Sequence, residues 1–240
     1  MPSDFQYRVV KGMVSTITKT CYRLDTTGLE HLTDLKPPYV IAGNHHSTID
    51  ALIMGLFVPY RIHFLGKHSA LWHNKTWATI NDFFGTIPVH KKGGNDMAIK
   101  AGLEVLMQKK RILGIFPEGA ILAKRKAFEG KVGVAIFALT AGVPVVPVGI
   151  LGTEDVLPYP EYGSPAVWPR VGRHVEFHVR PPMYFDDFST DSKEDLRTVT
   201  DQIMKEIRIA SKGYGCPPNL IKELISNGVL SKNIIQGIPS

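Results

Sequence analysis

Pro38-Tyr39-Val40-Ile41-Ala42-Gly43-Asn44-His45-His46-Ser47-Thr48-Ile49-Asp50 decides how this chain is read. Its first half is a short apolar run closed by Gly-Asn, the pattern of a strand buried on both faces. Ser47 and Thr48 are helix-start residues, and 48–57 reads as a helix. A strand that ends in a polar loop and passes into a helix is one step of an α/β layer. Ligand sites in such sheets gather beyond the carboxyl ends of the strands.

The same alternation continues outward. Towards the N-terminus lie a helix over 5–20 and a strand over 21–27. Towards the C-terminus come a strand at 61–66, a helix at 68–83, and a strand at 86–89 whose Pro88 marks an edge or a strand entry. A helix from Asn95 or Asp96 to about Lys109 leads to a strand at 112–116, stopped by Pro117. A basic loop over 118–130, a helix at 131–141 and a strand at 145–150 follow. In 174–180, His174, Glu176 and His178 alternate with Val175, Phe177 and Val179, a half-buried strand. A helix over 191–211 starts acidic, and a short helix is expected at 219–226. The expectation is α/β: a single domain with a central mixed, largely parallel sheet flanked by helices, and an N-terminal amphipathic helix. That divides the chain into helix 1–20, domain 21–212 and tail 213–240.

Composition narrows the class. With 240 residues, 44% hydrophobic and 21% charged, the chain is neither disordered nor fibrous. Two cysteines exclude a disulfide scaffold and a four-cysteine metal site, and they suit a cytosolic face. The net charge of +6 is local, because residues 61–131 hold thirteen Lys or Arg against five Asp or Glu. Such a field attracts phosphates, nucleic acid or an anionic membrane. No signal peptide is visible in the first residues. The apolar stretch Val132–Leu151 is broken by Gly142, Pro144 and Pro147, so it reads as helix then strand rather than a membrane span. Phe5, Val9, Met13, Ile17 and Cys21 recur every four residues among Arg8, Lys11 and Lys19. That stripe fits an interfacial helix as well as one docked on its own domain. Leu71, Trp72, Trp77, Phe83 and Phe84 form a second aromatic-rich stretch, which fits a membrane interface or a core.

The chemistry centres on the opening stretch. A histidine removes a proton from a hydroxyl near neutral pH, and a carboxylate fixes its tautomer. No G-x-S-x-G elbow is present, so the substrate is expected to supply the nucleophile. Helix spacing favours His46 with Asp50, four apart, over His45, five apart. Glu118, in Phe116-Pro117-Glu118-Gly119, also stands just past a strand, and Gly119 permits close approach of a ligand. Lys67, Lys91, Lys92, Lys124, Arg125, Lys126 and Lys131 make a phosphate site plausible near these acidic motifs.

In this order, the blocks resemble the glycerophospholipid acyltransferase family, and most closely its bacterial 1-acylglycerol-3-phosphate acyltransferases. The H-x4-D signature is carried by Asn44, His45, Ser47 and Asp50. Gly85, Ile87, Pro88 and Val89, followed by His90 and Lys91, resemble a second block; Phe116–Gly119 is a third, and Val143–Val148 a fourth. Lys131 and Gly133 match a Lys-x-Gly pair, and the resemblance spans about 20–182. It implies an acyltransferase domain over 21–212, with His45 rather than His46 as general base and Asp50 as its orienting partner. It further implies substrate contacts at Asn44, Gly85, Lys91, Glu118, Gly119 and Lys131, with no metal and no cofactor; the basic residues Lys67, Lys124 and Arg125 are added as candidates to take over from the arginine missing at position 121. The implied reaction moves an acyl group from acyl-CoA or acyl carrier protein to a lysophospholipid. The implied site of action is the cytoplasmic face of a membrane, peripheral or monotopic, without nucleic acid as a partner.

Two departures stand out. Ala120 and Ile121 occupy positions where such proteins usually carry Thr and Arg, and Lys91 stands for an arginine. An arginine grips phosphate through two donors, which lysine does not replace equivalently. Two other classes compete: a metal-dependent hydrolase using His45, His46, Asp50 and Glu118, with His63, His68 and His73 in reserve, and a binding protein for anionic lipid or nucleic acid without catalysis.

Overall fold

A computed structural model describes residues 3–72, 75–89, 94–121, 129–158, 168–213, 216, 218–228 and 230. The chain runs α1 (Asp4–Cys21), β1 (Arg23–Thr27), α2 (Glu30–Thr33), β2 (Tyr39–Gly43), α3 (Asp50–Phe57) and β3 (Ile62–Lys67). It continues α4 (His68–Leu71), α5 (Lys75–Phe84), β4 (Ile87–Val89), α6 (Gly94–Leu103), a π-helical turn (Glu104–Gln108) and β5 (Ile112–Ile115). Then come α7 (Gly133–Ala141), β6 (Val145–Leu151), α8 (Thr153–Val156), β7 (His174–Val179), α9 (Lys193–Ala210) and α10 (Pro218–Ser226).

The seven strands form one sheet in the order β1-β7-β6-β2-β5-β3-β4. The five from β6 to β4 are mutually parallel. β7 meets β6 antiparallel, and β1 pairs parallel with β7. The sheet is therefore mixed and largely parallel, as the sequence predicts. Pro88 lies on the edge strand β4, where its missing N–H costs least.

Both faces of β2 and β6 are covered, which is why they read as unbroken apolar runs. Alternate residues of β2 serve two cores. Val40 and Ala42 pack with α6, α7, α9 and α10, while Tyr39 and Ile41 pack with α2, α3 and β7. The last turn of α9 lies so close to β6 that a Cβ on Gly149 would strike the backbone of Ala210 and Ser211. Only glycine fits there. Within 213–240, Cys216, Leu224 and Leu230 are buried in the same core as α9.

Several boundaries differ from the sequence reading. The expected helix at 68–83 is two helices, α4 and α5. The expected helix over 48–57 starts only at Asp50, which matters for the site. α1 begins with a Ser3–Gln6 capping box. It docks through its more polar side. Tyr7 is buried under the Arg61 guanidinium, 4.5 Å from its ring centroid, and the Lys11 amine donates to the Val58 carbonyl. Burial lowers the Lys11 pKa to about 8. The apolar stripe of α1 faces outward, with Phe5 69% and Ile17 61% exposed. In the aromatic stretch, Leu71, Trp72, Phe83 and Phe84 are half-buried instead, and the indole of Trp72 donates to Asp82. Among the described residues no helix is long and apolar enough to cross a membrane.

Candidate active site

β6, β2 and β5 are adjacent and parallel at the middle of the sheet, so the segments leaving their carboxyl ends meet. β2 delivers Asn44 to Ser47, β5 delivers Phe116 to Gly119, and β6 delivers Thr153. Sheet order alone brings together residues spread over more than a hundred positions.

The centre is Asp50, fully buried at the first turn of α3. Its Oδ2 lies 2.8 Å from Nδ1 of His45 and accepts the backbone N–H groups of His46 at 2.7 Å and Ser47 at 2.8 Å. Its Oδ1 accepts the hydroxyl of Thr153 at 2.5 Å. All four contacts bring a donor to the carboxylate. An ionised Asp50 is an acceptor only, so Nδ1 of His45 carries the proton and Nε2 is left as a base.

The His45 ring is held on one face by Phe116, stacked with centroids 4.1 Å apart, and Phe64 of β3 stacks on Phe116 in turn. The backbone N–H of His45 donates to Oε2 of the buried Glu118 at 2.9 Å. The imidazole stays 19% exposed, enough for a substrate atom to reach it.

Helix spacing misleads here because both histidines precede the helix. Asp50 turns back across the tight turn and receives the backbone of His46 but the side chain of His45. His46 is buried, and burial lowers its imidazole pKa to about 4, so it stays neutral at neutral pH. The structure thus pairs with the carboxylate the histidine that the family resemblance picks out.

The other expected site residues divide. Asn44 is wholly buried, and its amide donates to the Ile150 carbonyl at 2.6 Å and accepts the Ile150 N–H at 2.7 Å. Both ends of its amide thus pin β2 to β6. Gly85 is displaced from the site. It sits before β4 with its carbonyl 2.9 Å from Nδ1 of His63, at the level where the neighbouring strands begin. The register levels it with Val40, about 16 Å along the strand direction from His45, from five residues at ~3.3 Å each. Lys67 ends β3 at the same edge as His45 and is exposed. Gly119, at φ +70°, lets the Lys131 side chain lie against it: an added Cβ would stand 2.6 Å from Nζ. Lys131 also donates its backbone N–H to the Pro117 carbonyl at 2.8 Å, which joins the turn before α7 to the Glu118 loop. Lys91, Lys124 and Arg125 fall outside the described residues, as do Lys92, Lys126, His90 and His73. Ile121, where the resemblance leads one to expect arginine, is buried.

Among the described residues no three His, Cys, Asp or Glu side chains come together as metal ligands. His63 is at the opposite end of β3, and His68 stacks on Trp72. Sequence reasoning missed Thr153, which follows the β6 block by a few residues and carries no spacing signal of its own.

Over residues 23–151 the chain matches the family described as Acyltransferase. It is 26% identical over 157 residues to the chloroplastic 1-acyl-sn-glycerol-3-phosphate acyltransferase BAT2 of Brassica napus, covering 64% of this chain and 44% of that protein. It is 27% identical over 161 residues to the 1-acyl-sn-glycerol-3-phosphate acyltransferase of Saccharomyces cerevisiae, covering 65% and 50%. The chain spans about half the length of these curated relatives. The crystal structure of the 1-acyl-sn-glycerophosphate acyltransferase PlsC from Thermotoga maritima matches with a TM-score of 0.62, over 85% of this chain and 82% of that one, at 19% identity. That likeness is one of fold. The family match takes in more than half of the chain, including His45, Asp50 and Glu118, and on it the chain belongs to the glycerophospholipid acyltransferase family.

Proposed function

We propose that the chain transfers a fatty acyl group from an acyl thioester, acyl-CoA or acyl carrier protein, to the hydroxyl of a lysophospholipid. The first acceptor in this reading is 1-acyl-sn-glycerol 3-phosphate, giving phosphatidate. The observation that carries it is the His45–Asp50 pair, a partly exposed imidazole on a buried carboxylate with, among the described residues, no serine or cysteine hydrogen-bonded to the ring.

In the reaction, Nε2 of His45 takes the proton of the acceptor hydroxyl as its oxygen attacks the thioester carbonyl. Asp50 stabilises the imidazolium that forms. The tetrahedral intermediate collapses, the C–S bond breaks, and Nε2–H returns its proton to the departing thiolate. The acyl group passes directly from thiol to hydroxyl. Phe116 keeps the ring from swinging, so little reorganisation is needed at the moment of transfer. Glu118 anchors the backbone of His45.

Lys131 and Lys67 are the cationic groups offered to the acceptor phosphate, together with Lys91, Lys124 and Arg125. With Ile121 buried in place of an arginine, the grip on phosphate falls mainly to lysines, with Arg125 the one arginine among these candidates, which suits looser selection of the headgroup.

The acceptor reaches the site from a membrane surface on which the protein rests as a peripheral or monotopic guest, at the cytoplasmic face. The outward apolar stripe of α1 supports this. So does the loop Trp168–Arg173 beside its end: Trp168 is 82% exposed, Val171 is also exposed, and the Gly172 N–H donates to the Cys21 carbonyl at 2.8 Å. Arg170 and Arg173 add charge for anionic headgroups.

The test is acyl transfer from a long-chain acyl-CoA to lysophosphatidate in vesicles, wild type beside His45→Ala. Thiol release matched by phosphatidate in wild type alone is the expected result. Equal phosphatidate from both proteins would remove His45 as the base.

A further inference from the structure

Asp50 has a fourth partner from outside the strand that carries the histidine, and outside the segment that matches the family. We propose that Thr153 is a positioning residue for acyl transfer, its hydroxyl fixing which oxygen of Asp50 faces His45. The proposal rests on His45 and Asp50 acting as base and orienting partner.

Thr153 is completely buried at the start of α8, directly beyond the end of β6. Its hydroxyl reaches Oδ1 at 2.5 Å, the shortest of the four hydrogen bonds on the carboxylate. An O–H donor at that distance from a carboxylate oxygen is a charge-assisted bond, among the stronger kinds. The other three donors all converge on Oδ2. Thr153 therefore sets the rotation of the carboxylate group. Without the hydroxyl, Oδ1 loses its donor, and the plane that aims Oδ2 at Nδ1 is no longer fixed.

The surroundings hold Thr153 in place. The Arg170 N–H donates to the Val156 carbonyl at 2.8 Å, and the Ser47 hydroxyl donates to the Leu157 carbonyl at 2.7 Å. The second bond ties the segment just after α8 back to the loop that bears His45. The β-branched side chain of threonine also has few rotamers, so its hydroxyl is pre-aimed. α8 thus links the His45 loop, the buried acid and the end of β6 into one rigid unit.

The test compares Thr153→Val, which keeps the shape and removes the donor, with Thr153→Ser, which keeps the donor. Acyl transfer from a long-chain acyl-CoA to lysophosphatidate is measured, and the His45 ring nitrogens are followed by 15N NMR. Losing one hydrogen bond to a charged group predicts a fall in kcat of about ten- to a hundredfold for Thr153→Val, with KM within about twofold. Thr153→Ser should recover most of the loss. In an Asp50→Asn background, Thr153→Val should add less than about twofold, because the two residues act as a unit. The NMR signals should show the proton on Nδ1 in wild type and Thr153→Ser, and a mixture of tautomers in Thr153→Val. Wild-type kcat in Thr153→Val, equal losses in Val and Ser, or full additivity with Asp50→Asn would each overturn the proposal. Should Thr153→Val not fold, Thr153→Cys, a weaker donor of similar size, must fall below Thr153→Ser. If no protein transfers acyl groups, the NMR signals decide: altered tautomers in Thr153→Val keep the positioning role while the enzymatic reading falls, and unaltered ones end it.

Discussion

Asp50→Asn isolates the charge of the buried acid from its shape. Truncation to alanine would strand four donors at once, the His45 ring, two backbone N–H groups and the Thr153 hydroxyl. Each unsatisfied buried group costs about 1–3 kcal/mol, so Asp50→Ala is expected to threaten the fold itself. Asparagine can keep its carbonyl oxygen at the Oδ2 position, where three N–H donors converge, and turn its NH2 towards Thr153, whose hydroxyl can accept. The fold should survive with a loss of about 1–2 kcal/mol. What goes is the attraction between carboxylate and imidazolium. With Nδ1 and Oδ2 2.8 Å apart, the charge centres are about 4 Å apart, worth ~4 kcal/mol at an effective dielectric of about 20. That corresponds to a fall in kcat of about a thousandfold. The assay is single-turnover thiol release from a long-chain acyl-CoA with saturating lysophosphatidate, beside circular dichroism and denaturant unfolding of the same samples. A folded Asp50→Asn protein within tenfold of wild type would refute the assignment of Asp50 to imidazolium stabilisation.

Three further outcomes are expected. His46 binds its proton at about 4 when folded and near 6.5 when unfolded, so the unfolded chain takes up more protons between these values and stability falls as pH drops through that window. His63, also lowered by burial, acts in the same direction. Denaturant unfolding at pH 7.5 and 5 should show a loss on the order of 2 kcal/mol, and His46→Gln should flatten it; an undiminished slope in the variant argues against His46 as the source. Gly119→Ala, strained at φ +70°, should cost about 1 kcal/mol and push the Lys131 amine aside; its KM for lysophosphatidate should rise several-fold alongside that of Lys131→Met, and an unchanged KM in both would take Lys131 out of the phosphate site. Replacing Phe5, Met13 and Ile17 together by serine should leave stability within about 0.5 kcal/mol, since all three are exposed, yet cut co-sedimentation with anionic vesicles by more than about tenfold; equal co-sedimentation would move the contact elsewhere.

The sheet was legible because its central strands are short, apolar and bounded by Gly, Asn and Pro, so their ends, and hence the His45 and Glu118 loops, could be placed from pattern alone. The choice between His45 and His46 was not legible from spacing, because spacing assumes a helix and the helix starts only at Asp50. Asn44 stands beside the histidine in sequence, yet its side chain bonds a neighbouring strand that no local pattern reveals. Gly85 sits in a recognisable block, but β4 is the sheet edge, and the block's first residue lies at the wrong end of its strand. Thr153 and Trp168 escaped notice for a shared reason: each is a single residue in an irregular segment, and only the folded path shows that one is sealed against Asp50 and the other left in solvent.

The pairing of β1 with β7 bears on how this molecule can be divided. Among the described strands β1 has one neighbour, and the register joins Arg23 to His174, far along the chain. The stretch that matches the family stops at residue 151. A fragment cut there would hold every block of the motif and still leave β1 unpaired, β6 with one bare edge and the α9 face of the sheet open to water. Closing so long a span also places this pairing among the slower steps of folding. Split-protein designs should therefore place their break beyond β7, where both halves of the sheet's outer edge stay on one piece.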